Sequence, residues 1–264
     1  MKALKLLLAV AAALIALRGV PRPSYEAMRP PLPAEALGGA MPESSPYQSD
    51  LLIQSHFLSQ DFVPDGNVQK DVWMRAAWMK FDHDTFSSRT YPQSETEVAS
   101  LWSPAYLYVA YRCKYTALNI YEGEDPAKER WELWNRDVVE VFVNPRPEHL
   151  NQYYEFEVAP NNQWIDLIID LDKKPMNDAG WNSGWDHATH IDAQKHVWTC
   201  EMRIPIRALD APAWPPKTEW RINFFRADGP GPDPQRRFLS WSPIQGSKHS
   251  FHTPSSFGLI RFVK

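Results

Sequence analysis

The stretch WNRDVVEVFVNP, residues 134–145, decides the fold of this chain. Side chains of an extended strand point to opposite faces in turn, so Val138, Glu140 and Phe142 share one face. The other face receives Val139, Val141 and Val143. A carboxylate between apolar neighbours, six residues after Trp134, indicates a sugar-facing or metal-facing surface, or else a plain edge carboxylate. The stretch therefore predicts a strand with Glu140 on one face.

The same alternation recurs in short runs rich in Val, Ile, Tyr, Phe and Trp. The predicted strands are 95–102, 106–113, 137–144, 152–159, 164–170, 197–204, 219–227, 237–241 and 257–262. Short helices are predicted at 127–134 and 206–209, and neither is long enough to form a helical layer. The pattern predicts an all-β fold, an antiparallel β-sandwich of jelly-roll type with two packed sheets.

The N-terminal segment has the composition of an export signal. Two lysines precede a twelve-residue apolar run, residues 6–17, which is short for a membrane span. Residues 1–19 are therefore predicted to be a signal peptide or an uncleaved membrane tether. The seven prolines of residues 20–46 predict an extended spacer. The folded domain is expected at 47–264, in an extracytoplasmic location: secreted, periplasmic or membrane-tethered.

Charge and motifs exclude several classes of function. Residues 47–264 carry 23 Lys and Arg against 29 Asp and Glu, and an acidic domain repels nucleic acid. The chain has no Gly-x-Ser-x-Gly elbow, no Gly-rich phosphate loop and no His-Glu-x-x-His helix. It is therefore expected to bind a ligand rather than to be an enzyme. No pattern indicates an oligomeric state.

Carboxylates and histidines could still carry chemistry. Two of the strand acids could form a glycosidase pair or could face solvent: Glu140, Glu155, Glu157 and Asp166. The histidines at 187, 190, 196, 249 and 252 have spacings that a transition metal could use, although histidine is ordinary in polar loops. Structural calcium is more plausible, with six candidate ligands: Asp61, Asp65, Asp82, Asp84, Asp137 and Asp228.

Cysteine and tryptophan positions leave alternatives open. Cys113 and Cys200 both face inward on alternating strands and either form one disulfide or remain two buried thiols. Tryptophans in loop-like surroundings either stack on sugar rings or pack in the core: Trp131, Trp134, Trp181 and Trp185. Arg226 precedes a loop rich in Gly and Pro and can line a site.

Several motifs follow one another in a familiar order. They are Asp65-Gly66 with Trp73, Trp134-x₂-Asp137-x₂-Glu140, Trp198-x₂-Glu201-x₂-Ile-Pro205, Trp220-Arg-x-Asn223-Phe and Phe251-His-x-Pro254-x₂-Phe257-Gly. Over about residues 62–262 this series resembles the carbohydrate-binding module family 9-like domains found attached to secreted xylanases. The resemblance implies a β-sandwich, non-catalytic binding of oligo- or polysaccharide, structural calcium and a link to catabolism of xylan- or glucan-type polysaccharides.

The resemblance also implies a site. In sugar-binding members two tryptophans clamp the sugar, while a Glu six residues after the first, an Arg on the next strand and an Asn bind its hydroxyls. Trp134 and Glu140 match the first two positions. Glu157 stands where the Arg is expected, Phe251 replaces the second tryptophan, and Lys248 lies near the Asn position.

Two further functions remain as alternatives. A haem-binding electron-transfer sandwich would need axial ligands, for which Met74, Met79, Met176 and Met202 are available, but no Cys-x-x-Cys-His attachment motif exists. By family association, the chain could also be a component that hydrolyses O-glycosyl bonds itself.

Overall fold

A computed structural model of the protein describes residues 52–215, 219–229, 235–244 and 250–264. The predicted signal or tether, the proline-rich spacer and Lys248 lie outside the described residues. Within the described ranges, no helix is both long enough and apolar enough to cross a membrane.

The described residues form thirteen β-strands, which confirms the all-β prediction. In chain order they are β1 (Leu52–Phe57), β2 (Met79–Phe81), β3 (Thr96–Trp102), β4 (Tyr106–Lys114), β5 (Val138–Asn144), β6 (Gln152–Val158), β7 (Trp164–Asp170), β8 (Asn177–Asp178), β9 (Asp186–Asp192), β10 (Val197–Pro205), β11 (Trp220–Asp228), β12 (Arg237–Ser240) and β13 (Gly258–Val263). All nine predicted strands are present, and each end lies within one residue of the prediction. Four strands were not predicted: β1, β2, β8 and β9.

The helix predicted at 127–134 is wrong. The structure has only a 3₁₀ turn at Leu133–Asn135. Glu132 just before it has a φ of 63°, a left-handed conformation through which an α-helix cannot continue. The second predicted helix is also a single 3₁₀ turn, Ile206–Ala208.

The sheet is mixed, which corrects the prediction of a purely antiparallel arrangement. Hydrogen bonds connect the strands in the order β8-β7-β6-β5-β11-β13-β1-β3-β4-β10-β9, with β12 beside β11 and β2 beside β3. β1 pairs parallel with both β13 and β3, and every other strand pair is antiparallel. The parallel strand is the first of the described strands, and it is inserted between two later ones.

This continuous sheet curls over on itself. β5 and β4 are five strand spacings apart in the sheet order, which would be about 24 Å in a flat sheet. The hydroxyl of Tyr111 in β4 nevertheless donates a 2.7 Å hydrogen bond to the backbone oxygen of Glu140 in β5. The two halves thus face each other across a shared core that includes Val141, Phe224 and Met202. Hydrogen bonding through β13 and β1 joins them into one sheet.

Both cysteines lie in this core as free thiols. Cys113 is opposite Trp198 in the β4–β10 ladder, and Cys200 is opposite Tyr111, so the two cysteines are diagonal neighbours. Diagonal neighbours have Cα atoms ~7–8 Å apart, which exceeds the ~4.4–6.8 Å that a disulfide spans. Of the two alternatives, the structure has two buried thiols.

A buried carboxylate anchors the chain that follows β1. Glu201 of β10 accepts hydrogen bonds from the backbone amides of Asp65 and Gly66, from Lys70 Nζ and from Trp73 Nε1, at 2.7–2.9 Å. Gly66 has a φ of 81°, and a Cβ there would lie 2.7 Å from the backbone of Thr189. The Asp-Gly, Trp and Glu motifs, far apart in sequence, therefore form one structural unit.

Candidate functional site

Three carboxylates converge on one face of the β5–β6 pair. Glu140 lies directly opposite Glu157, and Phe142 lies opposite Glu155. Directly paired and alternate residues share a face, so all three glutamates point away from the core cluster that holds Val141 and its neighbours. The residues of Glu140, Glu155 and Glu157 are 2%, 3% and 0% exposed, and one oxygen of each lies within 4.8 Å of the other two. These three residues are called the acid trio below.

Burial makes the charge of the acid trio costly. It raises the pKa of Glu155 to about 7. The pKa of Glu157 is raised well above its ordinary value, first by burial and then by the negative charges of Glu140 and Glu155. Apart from the contact between the Glu155 and Glu157 carboxyls themselves, no described donor bonds to either oxygen of Glu157 or to Oε2 of Glu155. A buried carboxylate without such bonds is stable only when it is protonated or neutralised by a cation.

Arg236 is the described cation next to the acid trio, and the sequence did not single it out. Its Nη2 donates to the backbone oxygens of Trp134 and Arg136 at 2.7 and 2.8 Å. Its positive charge favours the ionised form of Glu157 and so lowers the pKa of that carboxyl. Nε of Arg236 is buried and has no hydrogen-bond partner among the described residues. In the sequence, only the Arg236-Arg237 pair after a Gly- and Pro-rich loop could have pointed to this residue.

An aromatic layer continues the face of the acid trio. Phe225 of β11 lies opposite Glu140. Phe251 stacks on Phe225 with ring centroids 4.2 Å apart and is only 1% exposed. Phe225 also contacts Phe142 of β5 at 4.9 Å. The structure therefore brings Glu140, Glu157 and Phe251 to one face, with Phe251 packed within the aromatic layer.

Trp134 lies in the 3₁₀ turn Leu133–Asn135, which contacts β6. The residue is 6% exposed, and its ring meets that of Trp131 edge to face at 5.0 Å. Because the backbone oxygen of Trp134 also accepts from Arg236, the tryptophan and the acid trio are linked through one guanidinium.

Trp181 and Trp185 lie on the opposite face of β6. Trp181 contacts Tyr154 at 5.2 Å, and Trp185 contacts Phe156 at 5.0 Å. Tyr154 and Phe156 alternate with Glu155 and Glu157, so both tryptophans pack on the side of the core cluster. The structure does not bring these two predicted ligand contacts to the acid trio.

Arg226 also belongs to the core side. Its guanidinium donates to the backbone oxygen of Ser94, to Thr96 Oγ1 and to Asp228 Oδ1, at 2.9–3.1 Å. Asp228 additionally accepts from Ser94 Oγ and from Arg237. Arg226 and Asp228 are both fully buried. Their arrangement is that of a hydrogen-bonded network between strands rather than of an open site.

Among the described residues, the histidines and aspartates proposed as metal ligands do not converge, and His249 lies outside the described ranges. Within the described ranges, the acid trio is the only group of three or more such side chains close enough to hold an ion. His187 and His190 are three apart on strand β9 and so point to opposite faces. The aspartates instead have protein partners, as when Asp137 accepts from the amide of Asn119 and Asp61 accepts from Tyr108.

His187 predicts a specific pH dependence of stability. The imidazole ring contacts Trp185 and Trp164, with ring centroids 4.8 and 5.4 Å apart, and burial lowers the pKa of His187 to about 4. The unfolded chain, with a pKa near 6.5, binds the proton more tightly, so His187 removes stability as the pH falls from 6.5 towards 4. Between pH 6.5 and pH 4 the free energy of unfolding should fall by roughly 1–2 kcal/mol less in His187→Gln than in the wild type. Urea unfolding at each pH measures the difference.

The exposed His190 on the same strand provides the control for that measurement. His190→Gln should follow the pH dependence of the wild type. Equal pH slopes for the wild type and His187→Gln would contradict the assignment.

The fold places the chain in the class of β-sheet domains to which solved carbohydrate-binding modules belong. The sequence identifies the family within that class. The chain belongs to the Carbohydrate family 9 binding domain-like family, whose profile matches residues 63–264, and this confirms the resemblance inferred from the motifs.

Three proteins illustrate the likeness. A candidate carbohydrate-binding protein from Bacteroides uniformis has a TM-score of 0.65 at 16% identity, covering 80% of this chain and 98% of that chain. A family 9 carbohydrate-binding module from Caldicellulosiruptor kristjanssonii, solved with cellotriose, has a TM-score of 0.56 at 18% identity, covering 80% and 93%. An extracellular protein from Arthroderma benhamiae is 24% identical over 75% of this chain and 91% of its own length.

Proposed function

We propose that this protein is a secreted, non-catalytic carbohydrate-binding protein whose ligands are oligo- or polysaccharides of the glucan or xylan type. One observation carries the proposal: in a chain of this family, the turn that holds Trp134 contacts β6, the strand that pairs with the one carrying the buried Glu140. Glu140 lies on the acid face of β5, and the turn that holds Trp134 contacts the neighbouring strand β6.

The chemistry of the site suits a sugar. An indole ring stacks on the apolar C–H face of a pyranose, while carboxylates accept hydrogen bonds from its hydroxyls. Trp134 supplies the ring and Glu140 the acceptor. Arg236 positions the tryptophan, because its Nη2 donates to the backbone oxygen of Trp134 at 2.7 Å. Phe251 stacks on Phe225, the strand partner of Glu140, and so packs beside the site.

The ligand class and the location rest on the relatives. Family 9 modules from Caldicellulosiruptor kristjanssonii were solved with cellotriose and with glucose, which favours a glucan-type ligand here. The relative from Arthroderma benhamiae is an extracellular protein. Together with the composition of residues 1–46, this supports an extracytoplasmic role in the breakdown of polysaccharides.

Replacement of Trp134 should abolish most of the binding. We expect Trp134→Ala to weaken the affinity for cello- or xylo-oligosaccharides at least tenfold, which corresponds to ~1.4 kcal/mol, because a stacking aromatic ring dominates such an interface. The measurement is isothermal titration of the purified protein with each oligosaccharide series, after a screen on a glycan array.

Trp78→Ala is the matched control, since Trp78 is a half-buried tryptophan that packs in the separate cluster around Trp73. It should bind like the wild type. Unchanged affinity in a folded Trp134→Ala protein would refute the assigned site, and the absence of any glycan ligand would refute the proposed function.

The proximity of the acid trio also leaves glycoside hydrolysis as a second candidate. The sequence suggested that two of these strand acids could lie close together, and their oxygens do lie within 4.8 Å. Release of reducing sugar from xylan or β-glucan, abolished by Glu157→Gln, would establish that activity. If the protein only binds, the polysaccharide should stay intact during prolonged incubation and no reducing sugar should be released.

A further inference from the structure

The segment that carries Trp131 and Trp134 is fastened to the end of strand β7. This tryptophan segment, residues 119–136, joins β4 to β5 and contains a single 3₁₀ turn and no strand. The backbone amide of Arg130 donates to the backbone oxygen of Trp164, the first residue of β7, at 2.8 Å. The position of the two tryptophans therefore depends on how firmly the segment is held to β7.

A pair of carboxyl groups forms part of this attachment. Glu129 bridges to Trp164, and its carboxyl is hydrogen-bonded to that of Asp166, two residues further along β7. Asp166 is fully buried, and its Oδ2 accepts from the backbone amide of Ser183 at 2.8 Å and from the hydroxyl of the same residue. Asn182 Nδ2 donates to Glu129 Oε1 at 3.2 Å.

The bond between Glu129 and Asp166 requires a proton. Two ionised carboxylates can only accept hydrogen bonds, so one of the two carboxyls must be protonated to donate. Burial, followed by the negative charge of Asp166, raises the pKa of Glu129 to about 7. The proton therefore stays on Glu129 below neutral pH and leaves above it.

The charged and titratable groups around this pair do not replace that proton. Both cations of the neighbouring segment lie beside its own acids, Arg130 with Glu124 and Lys128 with Asp125. His187 on β9 is uncharged near neutral pH, because burial lowers its pKa to about 4. The acid trio projects from the other face of β6. Loss of the proton would thus leave two like charges in contact.

We propose that Glu129 and Asp166 form a pH-sensitive latch that holds the tryptophan segment to β7. With its proton, the pair joins the segment to the strand. Without it, the two carboxylates repel each other and residues 126–131 separate from β7. The turn that holds Trp134 follows directly, so opening of the latch moves the ring that stacks on the sugar. The latch itself stands without the proposed function, while its effect on sugar binding rests on it.

The latch closes at low pH and opens at high pH. Glu129 keeps its proton up to a pH of about 7 in the closed state, whereas a released carboxyl has the ordinary pKa of 4.5. Between these values the closed state binds more protons than the open one. The stability that the pair gives to the attachment is therefore complete below pH 4.5 and is lost as the pH rises through about 7.

Hydrogen–deuterium exchange of the full chain, without any ligand, tests the latch. After correction for the intrinsic pH dependence of exchange, we expect residues 126–131 to be protected roughly tenfold less at about pH 8.5 than at about pH 5.5. Glu129→Gln should protect the segment equally at both pH values. Its amide has the shape of the protonated carboxyl, donates to Asp166 and still accepts from Asn182.

Glu122→Gln is the matched control, since Glu122 is an exposed acid on the same segment. It should show the pH dependence of the wild type. The latch is overturned if the corrected protection of the wild type is the same at both pH values. It is equally overturned if Glu129→Gln loses protection at high pH as the wild type does.

Oligosaccharide titrations separate the latch from the proposed function. The acid trio titrates alike in both proteins, so the informative comparison is between Glu129→Gln and the wild type at one pH. At about pH 8.5 the variant should bind cello-oligosaccharides roughly three- to tenfold more tightly, and at about pH 5.5 the two should bind equally. Equal affinities at both pH values, with pH-dependent exchange, would overturn the link to sugar binding. The absence of any glycan ligand would overturn only the proposed function.

Discussion

Glu201→Ala is expected to lower the free energy of unfolding by about 3–5 kcal/mol, because it removes a fully buried charge from a fully bonded site. Four donors lose their acceptor at once: the amides of Asp65 and Gly66, Lys70 Nζ and Trp73 Nε1. Trp73 Nε1 would then have no described acceptor near the core, and Lys70 Nζ would keep only its pair with Asp65. Urea unfolding followed by tryptophan fluorescence measures the effect.

Two variants calibrate this result. Glu201→Gln retains one acceptor oxygen and should fall between the wild type and Glu201→Ala. Glu219→Ala breaks the partly exposed pair with Arg261 and should change stability by less than ~1 kcal/mol. If Glu201→Ala also stayed within 1 kcal/mol of the wild type, the segment carrying Trp73 would be held by packing rather than by Glu201.

Asp228→Ala is the second variant with a large expected effect, again about 3–5 kcal/mol of lost stability. Asp228 accepts from Ser94 and from two arginines, and Arg226 is completely buried. Removing the carboxylate leaves the Arg226 guanidinium as an uncompensated charge inside the protein. Chemical denaturation at neutral pH should show the loss.

A double variant separates charge burial from packing. Arg226→Met together with Asp228→Ala removes the buried charge along with its partner, so it should lose less stability than the sum of the two single variants. Asp192→Ala, at the end of β9 where a partly exposed carboxylate pairs with Lys195, serves as the control and should change stability by less than ~1 kcal/mol. Strict additivity of the two core substitutions would show that Arg226 and Asp228 do not stabilise each other.

The strands that sequence could predict share one physical property. β7 was predicted with its observed ends, Trp164–Asp170, and β5 within one residue, because both are apolar runs with strong β propensity. β9, with the sequence DHATHID, was not predicted, since it is a polar strand at the end of the sheet order. β1 contains Ser55, whose buried hydroxyl is bonded to Ser100 of β3, so its inward face does not look apolar.

Some residues of the candidate site could likewise be predicted from the sequence, and others could not. Trp134 and Glu140 belong to one local motif and could be identified from it. The proximity of Glu155 and Glu157 to Glu140 depends on the register of β6 against β5. A shift of one residue would turn both β6 glutamates to the other face of the sheet. Arg236 reaches the backbone of Trp134 across 102 residues, and no local pattern encodes such a contact.

The sequence by itself determined that this chain is an all-β protein of its family, and which local motif carries the tryptophan and the first carboxylate. Both depend on residues close together in the chain, because strand alternation has a period of two. Only the tertiary structure decided that β1 lies parallel between β13 and β3, that Trp181, Trp185 and Arg226 face the core, and that three glutamates meet. These outcomes depend on which distant strands pair, and pairing is set by burial of the whole core rather than by any one segment.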